Sequence, residues 1–481
     1  MALYAKKQFA EAQALLERAV ALTPEVALLH ANLATVLNDV GDLTRAKHHY
    51  QQVLQINQNN PQAHNGLGIV ARKQRNYSLA IAHYRRAIDN EPNFSAAHVN
   101  LANALNLSGQ FAQGLEHAKT ALKLNHKSAE AWNNQGFAEN MLGDIDGAKR
   151  SFAHAVTLAP DLAIARFNTA AMQLREGNYA DGWKNYEWRL RLNNHNVGMN
   201  PERLAYPSLD QLDGARITLV TEQGMGDFLQ FIRFAKILHG AGGKLTVTCD
   251  RRLIPLISHL PWIDQLLPRG TQTEGSDFVI PIMSLGRMLN IEFDNIPTPI
   301  PYIRVPAERT EHWAAMMTRG CGEKLVGLTW FGNPNNPVNN LRSIPFSYFQ
   351  SLSTVSDVRY ISLQTGSAVA EVNSPSSALK VADLGIFAAQ ENLQFSFDDT
   401  AAMLLNLDLF ITSCTVTAHL AGALGVPTWL LLSKVADWRW GQTEQYSRWY
   451  PSIRIFRQPE HADWDSVFRE VSTALQALTT E

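Results

Sequence analysis

The sequence predicts an α + α/β chain, in which a helical solenoid of short repeats is followed by a two-lobed α/β domain with parallel sheets. Three observations carry this prediction. Related segments recur every 34 residues through the first 190 positions. The period then stops in a polar stretch that carries two prolines. Beyond it, short apolar runs alternate with amphipathic ones, the pattern of parallel strands joined by right-handed helical crossovers.

The repeat is legible column by column. AVALTP (19–24), VLQINQ (53–58), AIDNEP (87–92), ALKLNH (121–126) and AVTLAP (155–160) each begin 34 residues after the one before. The same step joins Gly41, Arg75, Gly109, Gly143 and Gly177, where a turn is expected. It joins Ala46, Ala80, Gly114, Ala148 and Gly182, where helices must approach closely, and Tyr50, Tyr84, Phe152 and Tyr186, with Ala118 as the exception. A period of about 34 residues with small and aromatic residues at these places resembles the tetratricopeptide repeat, which has two antiparallel helices per unit. The resemblance spans residues 1–190. Phe9 and Ala12 keep the register, so the sequence is read as opening midway through a repeat.

Two polar columns run through the array. Asn32, Asn100, Asn134 and Asn168 share a place in the first helix of successive repeats, interrupted by Gly66. Asparagine is a mediocre helix former with both donor and acceptor groups. The column reads either as a solvated or inter-repeat bonding face, or as a ladder that bonds the backbone of an extended peptide. The second reading resembles the asparagine ladder in the repeats of the nucleocytoplasmic protein O-GlcNAc transferase. His30, His64 and His98 share another column, in which Trp132 keeps the aromatic of the consensus. They are read as packing residues, and no metal site is expected.

The remaining elements follow in order. Residues 191–213 are read as a linker. RITLVTEQ, KLTVTC and DFVIPIM are expected strands, with DFLQFIRFAKILHG and RRLIPLISHL as helices, in a first lobe over 214–305. PTPIPYIRVP suits a crossover. The second lobe, 306–481, has KLVGLTW, RYISLQ, LDLFITS and PTWLLL as strands. Its helices are SYFQSLS, DDTAAMLLN, TAHLAGALG and WDSVFREVSTALQAL. Ligands of such folds sit beyond the carboxyl ends of the strands.

Composition removes several function classes. Basic residues number 42 and acidic ones 44, which leaves no general nucleic-acid footprint. No apolar run reaches the ~18–20 residues of a membrane span, and the opening MALYAKKQFAEA has no signal-peptide core. Cys249, Cys321 and Cys414 are far apart and odd in number, which suits a reducing compartment. A cytoplasmic location is expected.

The chemistry is expected at strand ends. TEQGMGDFLQFIR (221–233) resembles the first strand-loop-helix of bacterial heptosyltransferases and related GT-B glycosyltransferases through Gly224, Gly226 and Asp227. Asp227 at a helix start is either an N-cap or, as the resemblance implies, the base that deprotonates the acceptor, with Glu222 in reserve. WFGNPNNPVNNLRSIP (330–345) also resembles the family. Trp330, Asn333, Arg342 and Ser343 are its donor-side candidates, and Arg342 suits a diphosphate. Gln364 in ISLQTG ends another strand, where a base or ribose is read, and Thr400 lies in a segment resembling the family's acidic-Thr-Ala-Ala run.

SCTVTAHLAGALGVPTWLLL (413–432) completes the set. Relatives of the heptosyltransferase type have Asp-Thr-Gly-x-x-His before this helix, where this sequence has Cys414, Thr415, Val416, Thr417, Ala418 and His419. Thr415, Thr417, their amides and His419 are expected to hold a nucleotide-sugar diphosphate at a helix N-terminus. Cysteine in place of the acid and valine in place of the glycine leave a second option open: Cys414 as a small filler and His419 as a core histidine.

The resemblance implies a GT-B glycosyltransferase that needs no metal and no cofactor, with a nucleotide-diphosphate sugar as donor substrate. The acceptor side would be the first lobe and the donor side the second, with inversion at the anomeric carbon. The repeats would recruit a polypeptide partner or acceptor. The competing class is a repeat scaffold whose transferase domain has degraded. A nucleotide-dependent dehydrogenase fits less well, because the first loop lacks the three-glycine fingerprint.

Overall fold

The computed structural model describes residues 2–192, 206–297, 300–333, 339–372, 377–383 and 396–480. Residues 193–205 of the expected linker, 298–299 of the expected crossover and 334–338 of the arginine loop lie outside them. The chain divides into two compact units, residues 1–165 and 166–481.

The first unit is a run of helices: α1 (Ala2–Ala5), α2 (Phe9–Leu22), α3 (Ala27–Val40), α4 (Leu43–Ile56), α5 (Pro61–Lys73), α6 (Tyr77–Asn90), α7 (Ser95–Leu107), α8 (Phe111–Leu124), α9 (Ala129–Met141) and α10 (Ile145–Leu158). Side chains of Asp42, Asn60, Asn76, Ser128 and Asp144 accept from first-turn amides and fix where helices begin. The turn column is left-handed throughout. Gly41, Gly109 and Gly143 have φ of 92°, 81° and 89°, and Arg75, the exception in sequence, adopts φ 60° all the same. Ala46, Ala80 and Ala148 are fully buried, as close helix approach requires. The glycine that interrupts the asparagine column also has a cause. A Cβ at Gly66 would lie 2.3 Å from the Tyr50 ring, so only glycine admits that ring.

The helix pair expected to close the repeats, α11 (Ala163–Arg175) and α12 (Tyr179–Tyr186), falls mostly in the second unit. The reason is its aromatic face. Trp183 is buried, donates from Nε1 to the Ile291 carbonyl at 2.7 Å, and packs edge-on to Phe231 and Trp438. These residues share one core with both sheets.

That unit contains two parallel sheets. The first joins β1 (Arg216–Val220), β2 (Lys244–Cys249), β3 (Gln265–Pro268) and β4 (Phe278–Pro281) in the order β3-β2-β1-β4. The second joins β5 (Lys324–Thr329), β6 (Val358–Ser362), β7 (Val381–Asp383), β8 (Leu409–Ser413), β9 (Thr428–Leu432) and β10 (Ile453–Arg457) in the order β10-β9-β8-β5-β6-β7. Counted within the sheet, this is 3-2-1-4-5-6, the order of doubly wound nucleotide-binding folds. In each sheet the first strand lies beside the fourth, and the crevice between their carboxyl ends is the switch point. The expected strands are present. β3, β7 and β10 were not expected as strands, and SYFQSLS lies within a 3-10 segment, Phe346–Thr354.

Candidate functional site

The second switch point is built from hydroxyls. β5 and β8 are buried through to their carboxyl ends, near which Thr329 and Thr412 meet Oγ1 to Oγ1 at 2.6 Å. Thr417 lies 3.3 Å from Thr329 and 2.7 Å from Thr415. Thr415 and Thr417 are half-buried and open the helix Val416–Leu424. Thr415 stands at the N-cap but makes no side-chain cap bond. Among the described residues, the first-turn N–H groups and the positive end of the helix dipole are therefore left without a capping side chain. Ser413 ends β8 fully buried, and its hydroxyl has no partner among the described residues. Arg342 ends the helix Asn339–Arg342, and its charge acts on both Cys414 and His419.

Around this corner other predicted residues brace the loop. Gln364 accepts from the amides of Trp330 and Phe331 at 3.1 and 3.0 Å and donates to the carbonyls of Phe331 and Thr365 at 3.1 and 3.0 Å. Its amide is fully committed to backbone, so it is not poised to read a base. Trp330 is wholly buried in the core. Ser343 accepts from the Gly332 amide at 3.3 Å, and Asn333 is exposed. Thr400 bonds back to the Ser396 carbonyl at 3.3 Å, inside a helix capped by Ser396 and Asp399.

Cys414 is buried and accepts from Trp440 Nε1 at 3.1 Å; burial pushes its thiol up. His419 is also buried. Its Nδ1 pairs with the Tyr450 hydroxyl at 3.0 Å, and its ring lies 5.2 Å from that of Trp440. Burial first, and then the charge of Arg439, pushes its pKa down to about 3. It is thus a neutral imidazole near neutral pH and does not supply charge to a phosphate. A Cβ at Gly226 would lie 2.7 Å from His419 Cδ2. The glycine is required because the helix Met225–Phe231 meets the histidine's helix here.

Asp227 faces the same seam. Its Oδ2 accepts from the Gly224 amide at 2.8 Å, and its Oδ1 is ion-paired with Arg439. Arg439 is 7% exposed, and it also holds Asp437 at 2.7 Å and Gln230 Oε1 at 2.6 Å. Asp227 is therefore not the expected N-cap, which is Gly224; it stands at N3, bonds back to the N-cap amide and also holds an ion pair 212 residues distant in sequence. Arg439 and Asp437 lie in ADWRWG, whose charge pairing the sequence did not reveal.

Glu222 sits at the other switch point, between β1 and β4. Arg189, fully buried, donates to its Oε1 from Nε at 3.1 Å and Nη2 at 2.7 Å, and to Ser284 Oγ at 2.8 Å and Glu187 at 2.7 Å. Burial raises the Glu222 carboxyl to about 7 against the pull of that guanidinium. Its place is an enclosed ion network.

In the first unit, Asn134 donates to the Val99 carbonyl at 3.0 Å, and Asn100 to Asn65 Oδ1 at 2.9 Å. Both tie neighbouring repeats together. Asn32 is half-buried, and Asn168 lies on α11.

Comparison with known proteins matches the tetratricopeptide repeat family over residues 1–61, 33–94 and 65–129, so this part of the chain consists of such repeats. Protein FlbA of Caulobacter vibrioides is 26% identical over 92% of this chain and 83% of its own. The human protein O-mannosyl-transferase TMTC1 is 28% identical over 36% of this chain, a fifth (20%) of its own length. Among solved structures, YrrB, a repeat protein with an unusual peptide-binding site, covers 38% of this chain at 21% identity and a TM-score of 0.30. Among the described residues no helix is long and apolar enough to cross a membrane.

Proposed function

We propose that the chain transfers a sugar from a nucleotide-diphosphate donor, in a GT-B arrangement, to a polypeptide held by its repeats. The observation that carries this reading is the uncapped start of the helix Val416–Leu424, with Thr415 and Thr417 half-exposed at the switch point of a 3-2-1-4-5-6 sheet. Helix amides, two hydroxyls and Arg342 suit a diphosphate, whose charge grows as the glycosidic bond breaks. His419 acts by position: neutral and tied to Tyr450, it fixes the helix start. Asp227 is the candidate base, oriented by Gly224 and Arg439; to take a proton it must loosen from that guanidinium.

Tetratricopeptide repeats suit protein interaction. Asn32, half-buried, is the proposed contact to an extended backbone, with Asn168 continuing the column; Asn100 and Asn134 are engaged between repeats. A second reading, a scaffold with a degraded transferase domain, is favoured by Cys414 in place of an acid. Incubation of the full chain with a panel of nucleotide sugars separates the two. The transferase reading expects release of nucleoside diphosphate, lost in Thr415→Val/Thr417→Val. No release and no binding from any donor supports the scaffold instead.

A further inference from the structure

The histidine column has partners that the sequence reading did not pair with it. His30, His64 and His98 are each buried, and each faces a second histidine 19 residues on, on the next helix: His49, His83 and His117. The Nδ1–Nδ1 separations are 2.9, 3.4 and 3.1 Å. The inner rings are held alike. Their Nε2 atoms lie 2.9, 3.2 and 3.0 Å from the carbonyls of Pro24, Gln58 and Pro92. A carbonyl only accepts, so Nε2 carries the proton, and the inner Nδ1 presents a lone pair. The outer rings are half-exposed.

This is the arrangement of a metal-ligating histidine, whose second nitrogen donates to a carbonyl and so aims the first. Two bonds of ~2.0–2.1 Å at a tetrahedral angle place their nitrogens about 3.3 Å apart, within reach of all three pairs. An open groove of about 930 Å³, lined in part by His48, Gln52, Gln55, His64 and Arg86, leads to the second pair. Among the described residues no third histidine, cysteine or carboxylate completes a set, so water must fill the remaining positions. We propose that the three pairs are equivalent two-histidine sites for a late first-row divalent ion such as Zn²⁺ or Ni²⁺, for which imidazole is a suitable ligand. On binding, the outer ring shifts its proton from Nδ1 to Nε2 and turns its lone pair toward the ion. No net proton is lost above the ordinary histidine range. The fourth repeat is the internal control. There Trp132 occupies the inner place and donates to the His126 carbonyl at 3.0 Å, and position 151 is a serine.

Calorimetric titration of the metal-free full chain with ZnCl₂ tests the proposal. The outer histidines are replaced by Asn, which keeps a donor toward the inner ring. Each single variant, His49→Asn, His83→Asn or His117→Asn, should lose one equivalent, and the triple variant three; His154→Asn, on α10 with its ring 4.7 Å from that of Trp132, should lose none. If the triple variant does not fold, the three single variants decide. No binding by the parent, or a loss smaller than one equivalent per replaced pair, overturns the proposal.

Discussion

The two switch points share a backbone plan and differ in what fills them. Beside β1, the crevice holds Arg189 and Glu222, both buried and both bonded. Beside β5, it holds threonine hydroxyls that bond to one another and leave a helix start uncapped. A strand-end corner is thus only an opportunity. A charged plug turns it into core, whereas small hydroxyls at a helix start suit an anion. Predictions about the two corners therefore diverge.

The largest effect is expected at the plugged corner. Arg189→Met strands the buried Glu222 and should cost about 3–5 kcal/mol in denaturant unfolding. Adding Glu222→Leu should recover part of it, because one of the two carboxylates that Arg189 holds is then gone, while Glu187 keeps its bond from Ser284. A single-variant loss under about 1 kcal/mol would show that the network is not what holds this corner.

Asp227→Asn tests the seam between the helices Met225–Phe231 and Val416–Leu424. The bond from the Gly224 amide tolerates asparagine, whose Oδ1 also accepts. The Arg439 partnership does not, so a loss of about 1–3 kcal/mol is expected. An unchanged melting temperature would reduce the residue to its bond with the Gly224 amide.

The corners should also respond to pH in opposite senses. His419 has a folded pKa of about 3, below the unfolded value. Its contribution is present above the ordinary histidine range and is lost as pH falls through the window down to about 3. Glu222 is raised to about 7, so its contribution is present below the ordinary glutamate range and is lost as pH rises through about 7. His419→Asn should flatten the acid limb of a stability profile, and Glu222→Gln the neutral limb. Identical profiles in parent and variants would contradict both assignments.

The smallest effect lies away from both corners and serves as a control. Arg75 holds φ 60° where its equivalents are glycine. Arg75→Gly should stabilise the repeats by about 0.5–1 kcal/mol. A destabilisation would mean that the side chain makes a compensating contact.

Local periodicity made much of this architecture legible. The 34-residue step located the left-handed turns, including that of Arg75, and the buried alanines, because each depends on neighbours within one helical hairpin. The same step carries His49, His83 and His117, so both columns of the histidine pairs are present in the repeat. β7, three residues long, and β3, flanked by polar turns, offer too little apolar pattern to stand out. The candidate site was legible where the motif lies on one strand-to-helix corner, as for Thr415 and Thr417. It was not legible where a partner comes from afar: Arg189 reaches Glu222 across 33 residues and Arg439 reaches Asp227 across 212. Gln364 and His419 looked available in sequence, because nothing local reveals that a loop backbone and Tyr450 already occupy them.

The claim that the second corner is the ligand site is tested most directly by calorimetry with UDP and GDP on three proteins: the parent, Thr415→Val/Thr417→Val, and Glu222→Gln. The account predicts that at least one nucleotide binds the parent, that the double threonine variant loses tenfold or more in affinity (about 1.4 kcal/mol), and that Glu222→Gln binds as the parent does. Equal affinity in the parent and the threonine variant, or a loss confined to Glu222→Gln, would contradict it.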